Sequence, residues 1–165
     1  MHEIEEMYED YSGMVHSFLL RLCGNQDLAE ELTQETFYRA VKGWLHFHNQ
    51  SSVPTWLCAI AKRLYWSSLR KKAAASLETE AEPSVPDFTE QLARRDRAMV
   101  AQRLLHRLPE PYREVFTLRT FCDLTHAEIG ELFAKSGQWA RVTYYRARKM
   151  LADTLKESEH DEDGL

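Results

Sequence analysis

The sequence predicts an all-α protein of two small helical domains joined by an acidic linker, the second being a four-helix helix-turn-helix domain. Apolar residues recur every three or four positions in several stretches, as on one face of a helix. Apolar and polar residues never alternate over more than a few positions, so strands are not expected. Residues 73–91 are small and acidic and contain two prolines, which indicates a linker between domain one (1–72) and domain two (92–157).

Composition and charge limit the possible functions. Of the 165 residues, 44% are hydrophobic and 28% are charged, which is typical of a globular chain. No apolar run approaches the ~20 residues of a membrane span. The acidic N-terminus lacks the positive charge of a secretory signal, so we expect a cytoplasmic protein. The net charge is −5, but residues 92–157 contain 13 basic and 8 acidic side chains. This segment is therefore the expected site for a phosphate backbone.

No pattern in the sequence supports catalysis or a bound cofactor. It has no phosphate-binding loop and no Gly-x-Gly-x-x-Gly, Gly-x-Ser-x-Gly or His-Glu-x-x-His motif. Cys23, Cys58 and Cys122 are widely spaced, which predicts free thiols that are buried or half-buried rather than disulfides or a metal site. We predict a protein that is not an enzyme and that uses no metal, cofactor or small-molecule substrate.

Domain one is predicted to begin with two antiparallel helices. Apolar spacing predicts the first from about Ile4 to Cys23, and Gly24-Asn25 ends it. The second is predicted to start near Gln26 or Asp27, and Asp27 forms a start signal with Glu30. Its predicted apolar stripe comprises Leu28, Leu32, Phe37, Val41 and Trp44. The opposite side is either a solvated face or a docking surface, and it comprises Glu30, Glu31, Gln34, Glu35 and Arg39.

A polar loop, residues 46–52, and a basic third helix complete domain one. Ser52 is a suitable cap and Pro54 is tolerated in the first turn, so the third helix is predicted from residue 53 to about residue 72. Basic and aromatic residues share this helix: Lys62, Arg63, Tyr65, Trp66, Arg70, Lys71 and Lys72. Such a mixture suits a single strand whose bases stack on rings. The alternative for Tyr65 and Trp66 is packing in the core.

Domain two is predicted to contain four helices. The first runs from about residue 90 to 108, Pro109 ends it, and Pro111 begins the second. The fourth is predicted to end near residue 156, before a disordered acidic tail at residues 158–165.

The last two helices have the pattern of a helix-turn-helix. Thr125 and Glu128 form a capping box before the third helix of the domain. Ser136-Gly137 predicts a turn before the fourth, which would enter the major groove of DNA. Candidate contacts on that helix are Arg141, Thr143, Tyr144 and Arg148. An arginine that meets guanine with two hydrogen bonds provides ~1–3 kcal/mol of base discrimination.

The two halves together resemble the extracytoplasmic-function group of bacterial sigma factors of the sigma-70 family. In domain one the matching stretches are DLAEELTQETFYRAVKGW and PTWLCAIAKRLYWSSLRKK. In domain two they are LHRLPEPYREVFTLRTFCDLTHAEIGELF and VTYYRARKML. The resemblance covers almost the whole chain, in the family's order and with the linker between, which is far more specific than one helix-turn-helix.

The resemblance implies a sigma factor that binds core RNA polymerase and directs promoter-specific transcription initiation. Residues 1–72 would be region 2 and residues 92–157 region 4, with the linker threading toward the active-site and RNA-exit channel. In this group the factor responds to stress and is held inactive by an anti-sigma factor, which is often membrane-anchored.

The resemblance also implies three sets of contact residues. The implied core-binding residues are Glu30, Glu31, Gln34, Glu35 and Arg39. The −10 element would be read and melted by Phe47, His48, Asn49, Lys62, Arg63, Trp66, Arg70 and Lys71, with a flipped base near the first three. The −35 element would be read by Gln138, Trp139, Arg141, Thr143, Tyr144, Arg146 and Arg148.

Two other interpretations remain open at this point. The chain could be a two-domain helix-turn-helix regulator that acts as a dimer without being a polymerase subunit. It could also be an interaction adaptor with an incidental helix-turn-helix. The basic and aromatic third helix after a polar loop favours the sigma factor, because a ligand-sensing domain has no reason to carry it.

Overall fold

The structure, a computed structural model, describes residues 2–47, 50–79 and 96–163. These residues form seven α-helices and a short 3₁₀ turn, without a strand among them. The helices are α1 (His2–Cys23), α2 (Gln26–Gly43), α3 (Val53–Thr79), α4 (Asp96–Arg107), α5 (Tyr112–Phe121), α6 (His126–Leu132) and α7 (Gly137–Asp163). The predicted all-α fold, with four helices in the second half, is confirmed. The predictions for residues 80–95 and for His48 and Asn49 lie outside the described residues.

The chain divides into two compact units, Met1–Phe88 and Thr89–Leu165. The boundary between these units falls inside the linker that the sequence predicts. Each unit has its own buried core among the described residues. No helix in the described part of the chain is both long enough and apolar enough to cross a bilayer.

Small residues bring α2 close to its neighbours in unit one. Ala29, Thr36 and Ala40 are completely buried, whereas Val41, predicted to be buried, is 44% exposed. The Thr36 hydroxyl donates to the Leu32 carbonyl at 2.7 Å, so its burial leaves no unpaired donor. The prediction for Val41 is wrong because alanines and threonines, rather than a stripe of long side chains, provide most of the buried face of α2.

The aromatic and sulfur-containing residues of unit one settle two sequence questions. Tyr65 is 3% exposed and its hydroxyl donates to the Leu22 carbonyl at 3.1 Å, so it belongs to the core and ties α3 to the end of α1. Cys58 is buried and Cys23 is half-buried, both as thiols outside a disulfide, and Cys122 of unit two is likewise a buried thiol. The prediction of buried or half-buried thiols is confirmed.

The sequence prediction of the N-terminal cap is correct for α3 and wrong for α2. The side chain of Asn25 accepts the Leu28 amide at 3.0 Å and caps α2. The predicted start signal at Asp27 is therefore wrong, and Asp27 lies in the first turn, where its charge favours the helix dipole. At α3 the prediction is confirmed, because Ser52 Oγ accepts the Thr55 amide at 3.3 Å.

Two helices extend beyond their predicted ends. The third was predicted to stop near residue 72, but α3 continues to Thr79 through the sequence AAASLET. Alanine is the strongest helix former, and this segment has no glycine or proline to end the helix. Likewise α7 continues to Asp163, since no glycine or proline occurs between Gly137 and Gly164. Both segments are therefore helical in the structure, beyond the helix ends predicted near residues 72 and 156.

The helix-turn-helix of unit two is fixed by caps at each junction. The capping box is confirmed: the Glu128 amide donates to Thr125 Oγ1 at 3.1 Å and the Thr125 amide to the Glu128 carboxylate at 3.3 Å. Ser136 caps α7 by accepting the Trp139 amide at 3.0 Å. Gly137 is the first residue of α7, so the turn lies before the predicted Ser136-Gly137 pair rather than at it.

The turn itself closes with a left-handed residue. The Lys135 amide donates to the Gly130 carbonyl at 2.8 Å and the Ala134 amide to the Glu131 carbonyl at 3.2 Å. This pair of bonds is the Schellman arrangement, in which the residue after the cap is left-handed. That residue is Ala134, with φ of 54°. The turn thus ends α6 and fixes the point at which α7, with the candidate DNA-binding face, begins.

Candidate nucleic-acid and polymerase interfaces

The predicted docking residues of α2 all lie on its outer side. Glu30, Glu31, Gln34 and Arg39 are exposed and Glu35 is half-buried. Arg39 Nε donates to Glu35 Oε1 at 3.1 Å, across one helical turn. An exposed ion pair of this kind contributes little to stability, about 0.3–0.5 kcal/mol. The face is therefore available to a partner at small cost.

A groove between α2 and α3 adjoins this face. Its volume is about 670 Å³, and its walls include Glu31, Glu35 and Arg39 of α2 and Ser67 and Lys71 of α3. Two carboxylates and two cations thus line it, together with three leucine side chains. The groove can accept a polar helix edge or a pair of charged side chains. It places Lys71 beside the predicted docking residues.

Three aromatic rings stack where α2 passes into the polar loop. Phe47 lies 4.5 Å from Trp56 and 5.8 Å from Trp44, measured between ring centroids, with interplanar angles of 24° and 23°. A cavity of about 350 Å³ opens beside Phe47 and Trp56 and is also lined by His46, Gln50 and Ser51. Flat rings next to polar groups are the surroundings that an unstacked base requires.

The predicted −10 residues of α3 separate into two sides of the helix. Lys62, Trp66 and Arg70 are spaced four residues apart and share one side, with Arg63 adjacent. Arg63 and Arg70 are exposed, and Lys62 and Trp66 are half-buried. Trp66 also meets the core residue Tyr65 edge to face, at 5.5 Å. Lys71 does not join this cluster, because it lines the groove with α2.

The outer side of α7 carries the predicted −35 residues that remain accessible. Gln138, Arg141, Arg146 and Arg148 are all exposed. The buried residues Ala140 and Ala147 anchor the opposite side of the helix. The three arginines therefore present their charges on the solvent-exposed side of α7.

Three other predicted −35 residues pack within unit two. Thr143 is 5% exposed and its hydroxyl donates to the Trp139 carbonyl at 2.7 Å, so its side chain is held within unit two rather than on the outer side of α7. Trp139 packs on Phe133 at 5.2 Å between centroids. Tyr144 stacks on Phe116 at 5.8 Å. The position of each residue around the helix, and not its chemistry, decides whether its side chain packs within unit two or faces outward.

The structure also reveals residues that sequence reasoning missed. Trp44 and Trp56 form the aromatic stack with Phe47, although only Phe47 was selected. On α7 the exposed residues include Val142 and Tyr145, at 37% and 54%, which were passed over in favour of Tyr144. A helical projection from the buried alanines would have found both of them.

His126 lies at the start of α6 in a positively charged environment. Its pKa is lowered from 6.5, first by burial and then by the charges of Arg119 and Arg141. Its Nδ1 atom is buried without a hydrogen-bond partner, and its ring lies 5.9 Å from that of Tyr144. The neutral imidazole therefore packs beneath α7 and leaves the positive charge to the arginines. Among the described residues, no three His, Cys, Asp or Glu side chains cluster to hold a metal ion.

Comparison with protein families finds two matches along the chain. Residues 7–75 match the model of sigma-70 region 2. Residues 98–151 match the model of sigma-70 region 4. The first range contains the docking face, the aromatic stack and the basic side of α3, and the second contains the helix-turn-helix.

Full-length relatives are similar along nearly the whole chain. RNA polymerase sigma factor CarQ of Myxococcus xanthus is 30% identical over 161 residues, covering 94% of this chain and 90% of its own. RNA polymerase sigma factor YlaC of Bacillus subtilis is 28% identical over 165 residues, covering 96% and 95%.

Two solved structures share the fold. The sigma factor RpoE, in complex with the anti-sigma factor NepR from Bartonella quintana, has a TM-score of 0.79 at 18% identity and covers 94% of this chain and 98% of its own. CnrH, in complex with the cytosolic domain of CnrY, has a TM-score of 0.72 at 17% identity and covers 93% and 88%. At these identities the likeness is one of fold.

Proposed function

This chain belongs to the extracytoplasmic-function group of the sigma-70 factors, and from that membership we propose that its two units divide promoter recognition between them. As a sigma factor it is a non-enzymatic subunit that directs promoter-specific transcription initiation by RNA polymerase. In the proposed division, residues 1–72 dock on core polymerase and open the −10 element, and residues 92–157 hold the −35 element. The observation that carries this proposal is that each sigma region exposes one basic helix face, on α3 and on α7.

Docking on core polymerase is assigned to the outer side of α2. Its contacts are Glu30, Glu31, Gln34, Glu35 and Arg39. Exposed carboxylates beside a groove favour a partner surface with basic side chains, and they steer association through long-range attraction.

Opening of the −10 element is assigned to the aromatic stack and to the basic side of α3. Extrusion of a base costs a few kcal/mol, which stacking on a ring and hydrogen bonds to the base edge can offset. Phe47 is part of the stack, and His48 and Asn49 follow it in the sequence. Lys62, Arg63 and Arg70 would hold the phosphates of the separated strand, with Trp66 beside them.

Recognition of the −35 element is assigned to α7 in the major groove. Gln138, Arg141, Arg146 and Arg148 are the contacts that we retain from the sequence prediction. Trp139 and Tyr144 support the helix from below, because their rings pack on Phe133 and Phe116.

We further propose that an anti-sigma factor controls this sigma factor. We also propose that this sigma factor acts in the cytoplasm. The fold is shared with RpoE and CnrH, whose structures contain the partners NepR and CnrY. The same proposal includes an anti-sigma partner with a membrane anchor. It also includes release of the sigma factor from this partner under stress.

Reconstitution with purified core RNA polymerase tests this function directly. We expect a stoichiometric complex on gel filtration and run-off transcripts from a specific subset of a genomic fragment library. A dimeric helix-turn-helix regulator would instead bind DNA alone and leave polymerase unbound. Absence of the complex together with absence of promoter selection would refute the sigma-factor function.

Charge reversal on α2 tests the docking face. Glu31→Lys with Glu35→Lys should weaken core binding, because both carboxylates face the proposed partner and reversal replaces attraction with repulsion. The matched control is Glu3→Lys with Asp10→Lys, which reverses two exposed charges on α1. Binding is measured by fluorescence anisotropy of the labelled sigma factor against core. Equal affinity of the two double variants would remove the α2 carboxylates from the interface.

A further inference from the structure

The outward centre of α7 is apolar, although its flanks are basic. Gln138, Val142, Tyr145 and Lys149 recur at intervals of four, three and four residues, so they lie in one row along the helix. All four are exposed, with Val142 at 37% and Tyr145 at 54%. The row lies opposite the buried alanines of the helix. The valine side chain and the aromatic ring of Tyr145 thus occupy the positions that project furthest toward a bound duplex.

The arginines lie on either side of this row. Arg141 and Arg148 are seven residues apart and share one flank. Arg146 lies on the other flank, because each helical residue advances by about 100°. Long cationic side chains at the edges of a recognition helix reach the phosphates that line the groove. The shorter side chains between them meet the base edges.

The chemistry of the row limits what it can read. Val142 has no hydrogen-bonding group, so it cannot recognise the donors and acceptors of a base edge. In the major groove the apolar group on a base edge is the C5-methyl of thymine. We propose that Val142 and Tyr145 read thymine methyl groups in the −35 element, and this inference rests on the proposed function of α7. The promoters of this sigma factor therefore carry thymine opposite the middle of α7.

Replacing thymine by deoxyuridine isolates the methyl group. The upstream element is first selected from a randomised duplex library with the reconstituted holoenzyme. Each thymine of the selected duplex is then replaced singly by deoxyuridine, which removes the methyl and leaves every hydrogen bond of the base pair intact. For two neighbouring thymines we expect each replacement to lower the affinity, measured by anisotropy, about fourfold, equivalent to the ~0.8 kcal/mol for burying a methyl-sized group.

A substitution cycle assigns the effect to a residue. In Val142→Ala the fourfold penalty of one deoxyuridine should disappear, and in Tyr145→Ala the penalty of a neighbouring one. Leu155→Ala is the matched control, because Leu155 is 43% exposed on the same helix about 20 Å further along and should retain both penalties. Circular dichroism and core binding verify that each variant is folded.

Several outcomes would overturn the inference and leave the sigma-factor function intact. They are a selected element without thymine, thymines that are all insensitive to the replacement, and penalties that persist in both alanine variants. Failure of the holoenzyme to select any sequence would instead refute the proposed function itself.

Discussion

At the scale of single residues, the backbone of Ala134 adopts a strained conformation. It holds the left-handed backbone position, φ of 54°, that closes the turn between α6 and α7. For a residue with a Cβ atom this conformation costs roughly 1–2 kcal/mol, which a glycine avoids. The turn bonds through Lys135 and Ala134 maintain it nonetheless. The turn therefore stores strain immediately before α7.

Ala134→Gly should consequently stabilise the protein. We expect the free energy of unfolding to rise by about 0.5–1 kcal/mol, since relief of the strain exceeds the ~0.4–1 kcal/mol that glycine loses in backbone entropy. Ala152→Gly is the control, because Ala152 is exposed within α7 and glycine should cost about 1 kcal/mol there. Urea unfolding followed by circular dichroism measures both. A lower midpoint for Ala134→Gly would show that the turn tolerates alanine without strain.

His126 links the same helix junction to pH. Its pKa lies below the ordinary 6.5 because burial and the nearby charges of Arg119 and Arg141 disfavour the imidazolium. Between that lowered pKa and 6.5, the unfolded chain binds a proton that the folded chain does not. The free energy of unfolding therefore falls as pH falls through this window. Above the window the contribution of His126 to the free energy of unfolding does not change with pH.

Two measurements check the His126 argument. His126→Gln should reduce the loss of stability on acidification from pH 6.5, seen as a smaller shift of the urea midpoint than in the parent chain. Arg141→Gln should move the pKa of His126 upward, followed by NMR titration of the imidazole ring. Arg146→Gln is the control, because Arg146 is not among the causes of the shift. An equal pKa in the Arg141 variant and the parent chain would contradict the electrostatic origin.

At the scale of elements, the sequence predicts what depends on local chemistry. The capping box at Thr125, the Ser52 cap and the all-helical fold class follow from short-range patterns, and all are present. Helix ends were harder to predict: α3 and α7 both extend further, because acidic and small residues indicate a linker by composition yet remain good helix formers. Asn25 was missed as a cap because it was assigned to the break.

Gly130 allows the backbone of α6 to lie in close contact with the residue that precedes α7. A Cβ atom added at Gly130 would lie 2.7 Å from the Ser136 carbonyl oxygen, a backbone atom that cannot rotate away. Gly130 is buried within the helix-turn-helix, and its carbonyl oxygen also accepts a hydrogen bond from the Lys135 amide. The absence of a side chain here allows the turn to fold back against α6.

Gly130→Ala should therefore destabilise unit two by about 1–3 kcal/mol, the usual cost of an overpacked site. The control is Gly13→Ala, because Gly13 lies inside α1 with no atom within 4 Å of an added Cβ. Alanine at that position should stabilise α1 by about 0.5–1 kcal/mol. Thermal unfolding of the two variants should thus shift in opposite directions. A shift of the same sign for both would show that helix propensity, not contact at the turn, decides the outcome at Gly130.

At the scale of the whole molecule, function depends on how charge is distributed. The chain as a whole is acidic, with a net charge of −5, yet α7 presents exposed arginines and α2 presents exposed carboxylates. Docking on a polymerase and holding DNA require opposite potentials, so the two tasks need separate faces. Which arginine, ring or valine faces outward could not be obtained from composition, since it depends on the rotation of each helix about its buried residues.

Removing two arginines tests whether the tasks are separate. In Arg141→Ala with Arg148→Ala, promoter affinity of the holoenzyme should fall by at least about tenfold, because each hydrogen bond to a charged phosphate contributes ~1.5–3 kcal/mol. The slope of log affinity against log salt should decrease by about 2, as expected for two lost phosphate contacts. Core binding should be unchanged, because α2 is untouched. The control, Arg103→Ala with Arg107→Ala, removes two exposed charges from α4 of the same unit and should retain promoter binding. If the α7 variant lost polymerase binding instead, the helix-turn-helix would belong to the docking surface, and the division between the two units would be wrong.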